Sequence, residues 1–142
     1  MKKYILPVIV LLLLSTVLVS CKNDDNSSPS PSATLNSNLQ TGTWRITLFA
    51  EDGDNQTSHY SGYNFTFGNG GVVTASNGSN TVTGVWVTGS DDSTSKLILT
   101  FTAAPFTELN EDWRVLEQSS NKIRLQHISG GNGGVDDLVF EK

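Results

Sequence analysis

Cysteine and histidine are both scarce in this chain of 142 residues, which has one Cys and two His. With a single Cys the chain cannot form an internal disulfide, so its stability must come from packing. The sequence also contains no nucleophile elbow, no zinc-ligand spacing, no phosphate-binding loop and no pair of catalytic carboxylates. We therefore expect a protein that is not an enzyme and that needs no metal or cofactor.

Apolar residues and positive charges are also few. Hydrophobic residues make up 37% of the chain and are concentrated near its N-terminus, whereas Gly, Ser, Thr and Asn are abundant in the rest. A helical bundle or a membrane-embedded protein requires more apolar residues than this, so both classes are excluded. The formal net charge is −5, and it becomes −7 without Lys2 and Lys3. Such an acidic chain is not expected to bind nucleic acid or anionic lipid surfaces.

The N-terminal segment 1–20 has the pattern of a signal peptide. Lys2 and Lys3 precede an apolar run that is too short and too interrupted to serve as an anchor helix. Residues 18–21 read Leu-Val-Ser-Cys, which resembles the lipobox of bacterial lipoproteins. The resemblance implies that Cys21 is acylated and attaches the mature chain to the lipid bilayer of an outer membrane or cell surface. A secreted protein with an incidental Cys is the alternative.

Residues 21–40 are rich in Ser and Pro and show no hydrophobic periodicity. This composition predicts a disordered tether that spaces a folded domain from the membrane. Asp24 and Asp25, close to Lys22, resemble the surface-export signal of lipoproteins in Bacteroidetes-type bacteria. An acidic solvated linker is the alternative interpretation. The folded domain is then expected to span 41–142.

Short alternating segments recur throughout 41–142, with turn formers between them and no plausible helix. In the clearest of them, Leu97, Leu99 and Phe101 all fall on one face. Eight strands are predicted in all, over 41–50, 59–67, 72–76, 81–88, 96–101, 112–117, 122–128 and 135–141. Eight antiparallel strands with one apolar face each can hide that face by closing into an up-and-down β-barrel. A two-sheet sandwich is the alternative.

Residues 42–44, at the start of the first strand, read Gly-Thr-Trp and resemble the Gly-x-Trp signature of lipocalins. The domain as a whole resembles the small lipocalin-like lipoproteins of Bacteroidetes-type bacteria. The resemblance implies that Trp44 closes the barrel floor, with Trp86 and Trp113 also in the core. It further implies binding of a small apolar or amphipathic molecule in a shallow cup. The alternative is a non-catalytic cell-surface interaction module that has a filled barrel and a protein or glycan partner. We expect a monomer in either case.

Three polar residues, His59, His127 and Asp136, are predicted to face inward at the rim away from the membrane. Pairing Ile128 with Val135 in the last hairpin places apolar residues opposite each other, and it sets His127 directly across from Asp136. A neighbouring carboxylate favours the charged form of His, so these residues are candidates for binding a polar group of a ligand. A hydrogen-bonded pair that closes the barrel end is the alternative.

Overall fold

The computed structural model describes residues 28–131 and 133–142. The predicted signal peptide over 1–20, the predicted lipidation site Cys21 and the first residues of the predicted tether lie outside the described residues. No helix in the described part of the chain is long and apolar enough to cross a membrane.

The described chain forms one antiparallel sheet of nine strands. They are β1 (Arg45–Glu51), β2 (Asp54–Asn55), β3 (Asn64–Phe67), β4 (Val72–Ser76), β5 (Thr81–Asp91), β6 (Thr94–Phe101), β7 (Asp112–Gln118), β8 (Lys122–Ile128) and β9 (Val135–Glu141). Their order across the sheet is β2-β1-β9-β8-β7-β6-β5-β4-β3. The prediction of an all-β antiparallel fold is confirmed. The count of eight strands is wrong, because β2 pairs with the end of β1 as a short additional hairpin.

The sheet curls into a half-barrel whose two sides meet at one place. Just before β1, the backbone N–H of Trp44 donates to the carbonyl of Phe65 at 2.9 Å, and the Phe65 N–H donates back at 2.7 Å. Next to this bridge, Nε of Arg45 donates to the side-chain oxygen of Asn64 at 3.2 Å. These contacts bring the start of β1 against β3, so the inward faces of the strands enclose a common core.

The strand predicted over 59–67 begins only at Asn64, because Thr57–Tyr60 forms a 3₁₀ helix. The Thr57 hydroxyl accepts a hydrogen bond from the backbone N–H of Phe49 at 2.9 Å, and the Thr57 N–H donates to the Asn55 side chain at 3.0 Å. Local side-chain contacts therefore replace strand pairing in this segment.

The predicted alternation in the first strand is also interrupted. A β-bulge lies between Ile46 and Leu48, where the register with β9 shifts. As a result Phe49 is buried, whereas strict alternation predicted that Leu48 would face the core. A bulge of this kind leaves the strand intact but turns the following side chains by one position.

A helix that the sequence did not predict, α1 (Pro31–Leu39), precedes the sheet. The Ser30 hydroxyl caps it by accepting a hydrogen bond from the backbone N–H of Ala33 at 3.2 Å. Leu35 and Leu39 lie one turn apart and are fully buried, where α1 packs against β5 and β6.

The disordered tether predicted over 21–40 is therefore wrong from Pro31 onward, and the folded unit begins there rather than at Thr41. The Gln118 side chain binds this end of the helix, with Nε2 donating to the Pro31 carbonyl at 3.0 Å. A short segment rich in Ser and Asn has little tendency to form a helix alone, so its docking on the sheet supplies the stability.

Aromatic rings fill the interior. The buried aromatic residues include Trp44, Phe65, Phe67, Trp86, Phe101, Trp113 and Phe140. Tyr63 is partly buried and meets Phe106 edge to face, with 5.0 Å between the ring centroids. One end of the core is covered by α1. The other end is covered by the 3₁₀ helix over Thr57–Tyr60 and a second one over Phe106–Leu109.

Candidate functional site

The last hairpin has the predicted register, which pairs Ile128 with Val135 and His127 with Asp136. Asp136 is only 7% exposed, and its Oδ2 lies 3.5 Å from Nδ1 of His127. Its other oxygen, Oδ1, accepts a hydrogen bond of 3.0 Å from the backbone N–H of Asp52. Asp136 therefore ties the turn between β1 and β2 to the β8–β9 hairpin.

His127 has a second carboxylate neighbour that sequence reasoning missed. Oε2 of Glu111 lies 3.4 Å from the same ring nitrogen, Nδ1. The imidazole also packs edge to face against Trp113, with ring centroids 6.3 Å apart. Two carboxylates thus share one imidazole nitrogen at the end of the core. Glu111 lies in the loop before β7. The alternation of inward and outward residues applies only to strands, so it does not predict where a loop side chain lies.

His59 does not lie inward at the start of a strand, as predicted, but on the 3₁₀ helix over Thr57–Tyr60, with its side chain 38% exposed. Its Nδ1 is 2.8 Å from Oε2 of Glu108, and the Tyr60 hydroxyl donates to the same oxygen at 3.2 Å. Burial, reinforced by the Glu108 charge, raises the pKa of Tyr60 well above its ordinary value, so the phenol stays protonated and donates. Glu108 therefore joins the two 3₁₀ helices, and no described contact joins His59 to His127 or Asp136.

Five carboxylates lie at this end of the molecule: Glu51, Asp52, Glu108, Glu111 and Asp136. We call this group the acidic rim. Partial burial raises the pKa of Glu51, and the charges of the other four carboxylates raise it further, Asp136 first. Within residues 28–131 and 133–142, no three His, Cys, Asp or Glu side chains are arranged to hold a metal ion. The other four carboxylates of the acidic rim therefore repel a charged Glu51.

Replacing Glu51 with Gln should increase the free energy of unfolding at about pH 7 but not at about pH 3. Because folding raises the Glu51 pKa, its carboxyl favours the folded state at low pH, and this contribution is lost as the pH rises through the folded value. Removing the charge should therefore stabilise the protein only above the ordinary Glu value of about 4.3. The gain should be a few tenths of a kcal/mol, since the side chain is largely exposed.

Urea unfolding at the two pH values measures this difference. Glu117→Gln is the control, because its carboxylate lies 3.9 Å from Lys122 and not among like charges. This substitution should not increase the free energy of unfolding. An equal gain for Glu51→Gln at both pH values would show that repulsion within the acidic rim is not its cause.

The three tryptophans have structural roles. Each indole N–H donates to a backbone carbonyl, from Trp44 to Leu39 at 3.0 Å and from Trp113 to Leu109 at 2.9 Å. Trp86 donates to the carbonyl of Gly68 at 3.1 Å, and the Val72 carbonyl is 3.2 Å away. Trp44 thereby holds α1 at one end of the core, and Trp113 holds the second 3₁₀ helix at the other. None of the three is free to offer its polar atom to a ligand.

The outer face of the sheet carries a group of exposed aliphatic side chains, which we call the aliphatic wall: Val72, Val85, Val87 and Ile98. They are neighbours across β4, β5 and β6, because Val72 pairs with Val85 and Val87 pairs with Ile98. Val85 and Val87 are each 53% exposed. Adjacent exposed aliphatic residues on one face are a common feature of interaction surfaces.

No protein-family model and no curated protein matches the sequence. Among solved structures, the chain is similar to a DUF4847 family protein from Bacteroides vulgatus ATCC 8482, with 18% sequence identity and a TM-score of 0.48. The similarity covers 75% of this chain and 96% of the other.

Proposed function

We propose that this chain is a lipid-anchored, non-catalytic binding module of a bacterial outer membrane or cell surface, and that it binds its partner on the outside of a filled barrel. The observation that carries the proposal is the occupied interior, where aromatic rings pack against one another and both ends are covered. The aliphatic wall supports it as well, since an interaction module needs exposed surface rather than an internal cavity. The module acts as a monomer.

The proposal includes a lipocalin-like barrel. It is supported by the Gly-Thr-Trp segment at 42–44 and by the contact of Trp44 with Phe65, which joins the two sides of the sheet. In such a barrel Trp44 serves as the floor, beneath α1. The 3₁₀ helices then take the place of the long lid loops that an open ligand cup would need.

Carriage of a small apolar molecule, the other function that the lipocalin resemblance implies, has weaker support. A cup at the acidic rim would need His127, Asp136 and His59 to face an open space. Tyr60 and Phe106, one from each of the two 3₁₀ helices, are instead buried at that end. A small barrel has room for its own side chains or for one small ligand, and in this half-barrel aromatic side chains pack against one another in that space.

Native mass spectrometry of the full chain purified from its host tests this function. The binding module should show the mass of the mature, acylated chain and no small apolar molecule bound in a one-to-one ratio. A stoichiometric apolar ligand that survives purification and is released on unfolding would instead establish a carrier.

Replacing Cys21 with Ser should release the protein from membranes without unfolding it. Acyl chains on Cys21 supply the whole membrane affinity in this proposal, because an acidic domain has no attraction to anionic lipid. Fractionation of cells should move the variant from the membrane pellet to the soluble fraction, while its thermal unfolding temperature stays unchanged. Equal membrane association of the variant and the unaltered chain would contradict lipid anchoring. Ser79→Ala, a substitution in an exposed turn, serves as the control.

A further inference from the structure

Two turns of the described chain carry the same dipeptide, Asn-Gly. Asn69 and Gly70 lie in the turn between β3 and β4, and Asn77 and Gly78 lie in the turn between β4 and β5. All four residues are exposed, and both glycines have a positive φ, +84° at Gly70 and +90° at Gly78. A difference in reactivity between the two pairs therefore follows from their hydrogen bonds. A third Asn-Gly pair, at 132–133, includes a residue outside the described ones.

The Asn77 side chain is held by the backbone of its own turn. Its Oδ1 accepts hydrogen bonds from the backbone N–H of Ser79 at 3.1 Å and from that of Asn80 at 2.8 Å. The N–H of the glycine that follows, Gly78, donates to Oγ of Ser76 at 3.4 Å. The side-chain amide of Asn77 and the backbone nitrogen of Gly78 are therefore both engaged with other partners.

The corresponding groups of the other turn have no such partners. Among the described residues, none forms a hydrogen bond with the Asn69 side chain or with the N–H of Gly70. The turn is closed outside this pair, where the Gly68 N–H donates to the Val72 carbonyl at 2.7 Å. A Cβ built on Gly70 would meet nothing within 4 Å, so there is open space around its backbone. The Asn69 side chain can therefore rotate toward the nitrogen of Gly70 without breaking a contact.

We propose that Asn69 is a site of spontaneous covalent modification, namely deamidation through a cyclic imide. The backbone nitrogen of Gly70 loses its proton to solvent base and bonds to Cγ of Asn69. The bond from Cγ to the side-chain nitrogen breaks, and that nitrogen takes up a proton and leaves as ammonia. Glycine favours this ring closure because it has no Cβ beside the attacking nitrogen.

Water then opens the imide at either of its two carbonyl carbons. When the bond between Cγ and the Gly70 nitrogen breaks, the product is aspartate. When the original backbone bond breaks, the product is isoaspartate, in which the main chain continues through the side chain. Either product adds a carboxylate to an already acidic chain, and isoaspartate lengthens the turn beside Gly68, whose carbonyl accepts the Trp86 indole N–H at 3.1 Å. The reaction is independent of the proposed function, because it needs only the turn and water.

The test incubates the full chain carrying Cys21→Ser at mildly alkaline pH and physiological temperature for several weeks. Peptide mapping by mass spectrometry then measures aspartate and isoaspartate at each Asn-Gly pair. In the folded chain Asn69 should react faster than Asn77 by about tenfold or more, because two hydrogen bonds must break before Asn77 can react. In concentrated urea, which removes those hydrogen bonds, the two rates should be similar.

Asn69→Gln provides a matched variant at the same exposed position, so its folding is not at risk. Its longer side chain would have to close a six-membered ring, which forms far more slowly, so the modification at this turn should disappear while the rate at Asn77 stays the same. Equal rates at Asn69 and Asn77 in the folded chain, or a faster rate at Asn77, would overturn the proposal. So would an unmodified Asn69 in the folded chain after a period in which Asn77 reacts in urea.

Discussion

A fragment that begins at Thr41 should be less stable than one that begins at Ser28, by about 3 to 6 kcal/mol. The shorter fragment lacks Leu35 and Leu39, both fully buried, and each such side chain contributes about 1.5 to 3 kcal/mol. It also removes the Leu39 carbonyl that accepts the indole N–H of Trp44, leaving that donor unpaired. Since domains of this size are stable by about 5 to 15 kcal/mol, this loss is a large fraction of the total stability.

Urea unfolding followed by tryptophan fluorescence measures the difference. Within the longer fragment, the double substitution of Leu35 and Leu39 with Ala should reproduce most of the loss. Ser37→Ala, at an exposed position of the same helix, should change the stability by no more than about 0.5 kcal/mol. Equal stability of the two fragments would show that α1 is not part of the folded unit.

Replacing Phe106 with Ala should destabilise the protein by about 3 to 5 kcal/mol, the usual loss for a large core aromatic. Its ring lies 5.6 Å from that of Tyr60, 5.0 Å from that of Tyr63 and 5.4 Å from that of Phe101. The truncation therefore leaves a void between packed rings, which partial relaxation cannot fill. A dry apolar void of this kind binds small apolar molecules such as benzene.

Two measurements check this expectation. Thermal unfolding should show the loss for Phe106→Ala and almost none for Val85→Ala, which truncates a side chain that is 53% exposed. Benzene should raise the unfolding temperature of Phe106→Ala and leave that of the unaltered protein unchanged. A loss below about 1 kcal/mol for Phe106→Ala would mean that the second 3₁₀ helix is only loosely attached to the core.

Strict alternation made part of the fold predictable. In β6, Leu97, Leu99 and Phe101 occupy one face of a strand with period two, and the structure buries all three. The register of the last hairpin followed because a slip of one residue would expose its apolar side chains, so His127 was correctly placed opposite Asp136. Where a buried face repeats every second residue, the sequence determines both the strand and its neighbours.

The elements that the sequence did not predict lie in segments without such repetition. Helix α1 carries two buried residues in a polar segment, and its stability depends on a sheet distant in the sequence. The 3₁₀ helix over Thr57–Tyr60 depends on the contact of Thr57 with Phe49, a pairing that no local pattern shows. The bulge after Ile46 is likewise invisible in the alternation.

The candidate sites also include residues whose positions strand periodicity could not predict. Glu108 and Glu111 reach the His side chains from the loop between β6 and β7, where no register constrains them. Ser95 and Gln118 line one depression because β6 and β7 are not paired beyond Lys96 and Arg114. A sequence can indicate which residues lie on a strand, whereas the divergence of two strands depends on the curvature of the whole sheet.

The most direct test of a filled barrel is a titration of the full chain carrying Cys21→Ser with decanoate, a fatty acid, followed by methyl NMR. The inward methyl groups of Leu97, Leu125 and Leu138 report on the interior, and those of Val85 and Val87 report on the aliphatic wall. The external binding module predicts that the inward methyl resonances do not move at any decanoate concentration at which the protein stays folded. Saturable shifts of those resonances, with the wall unchanged, would contradict it and establish an internal ligand site.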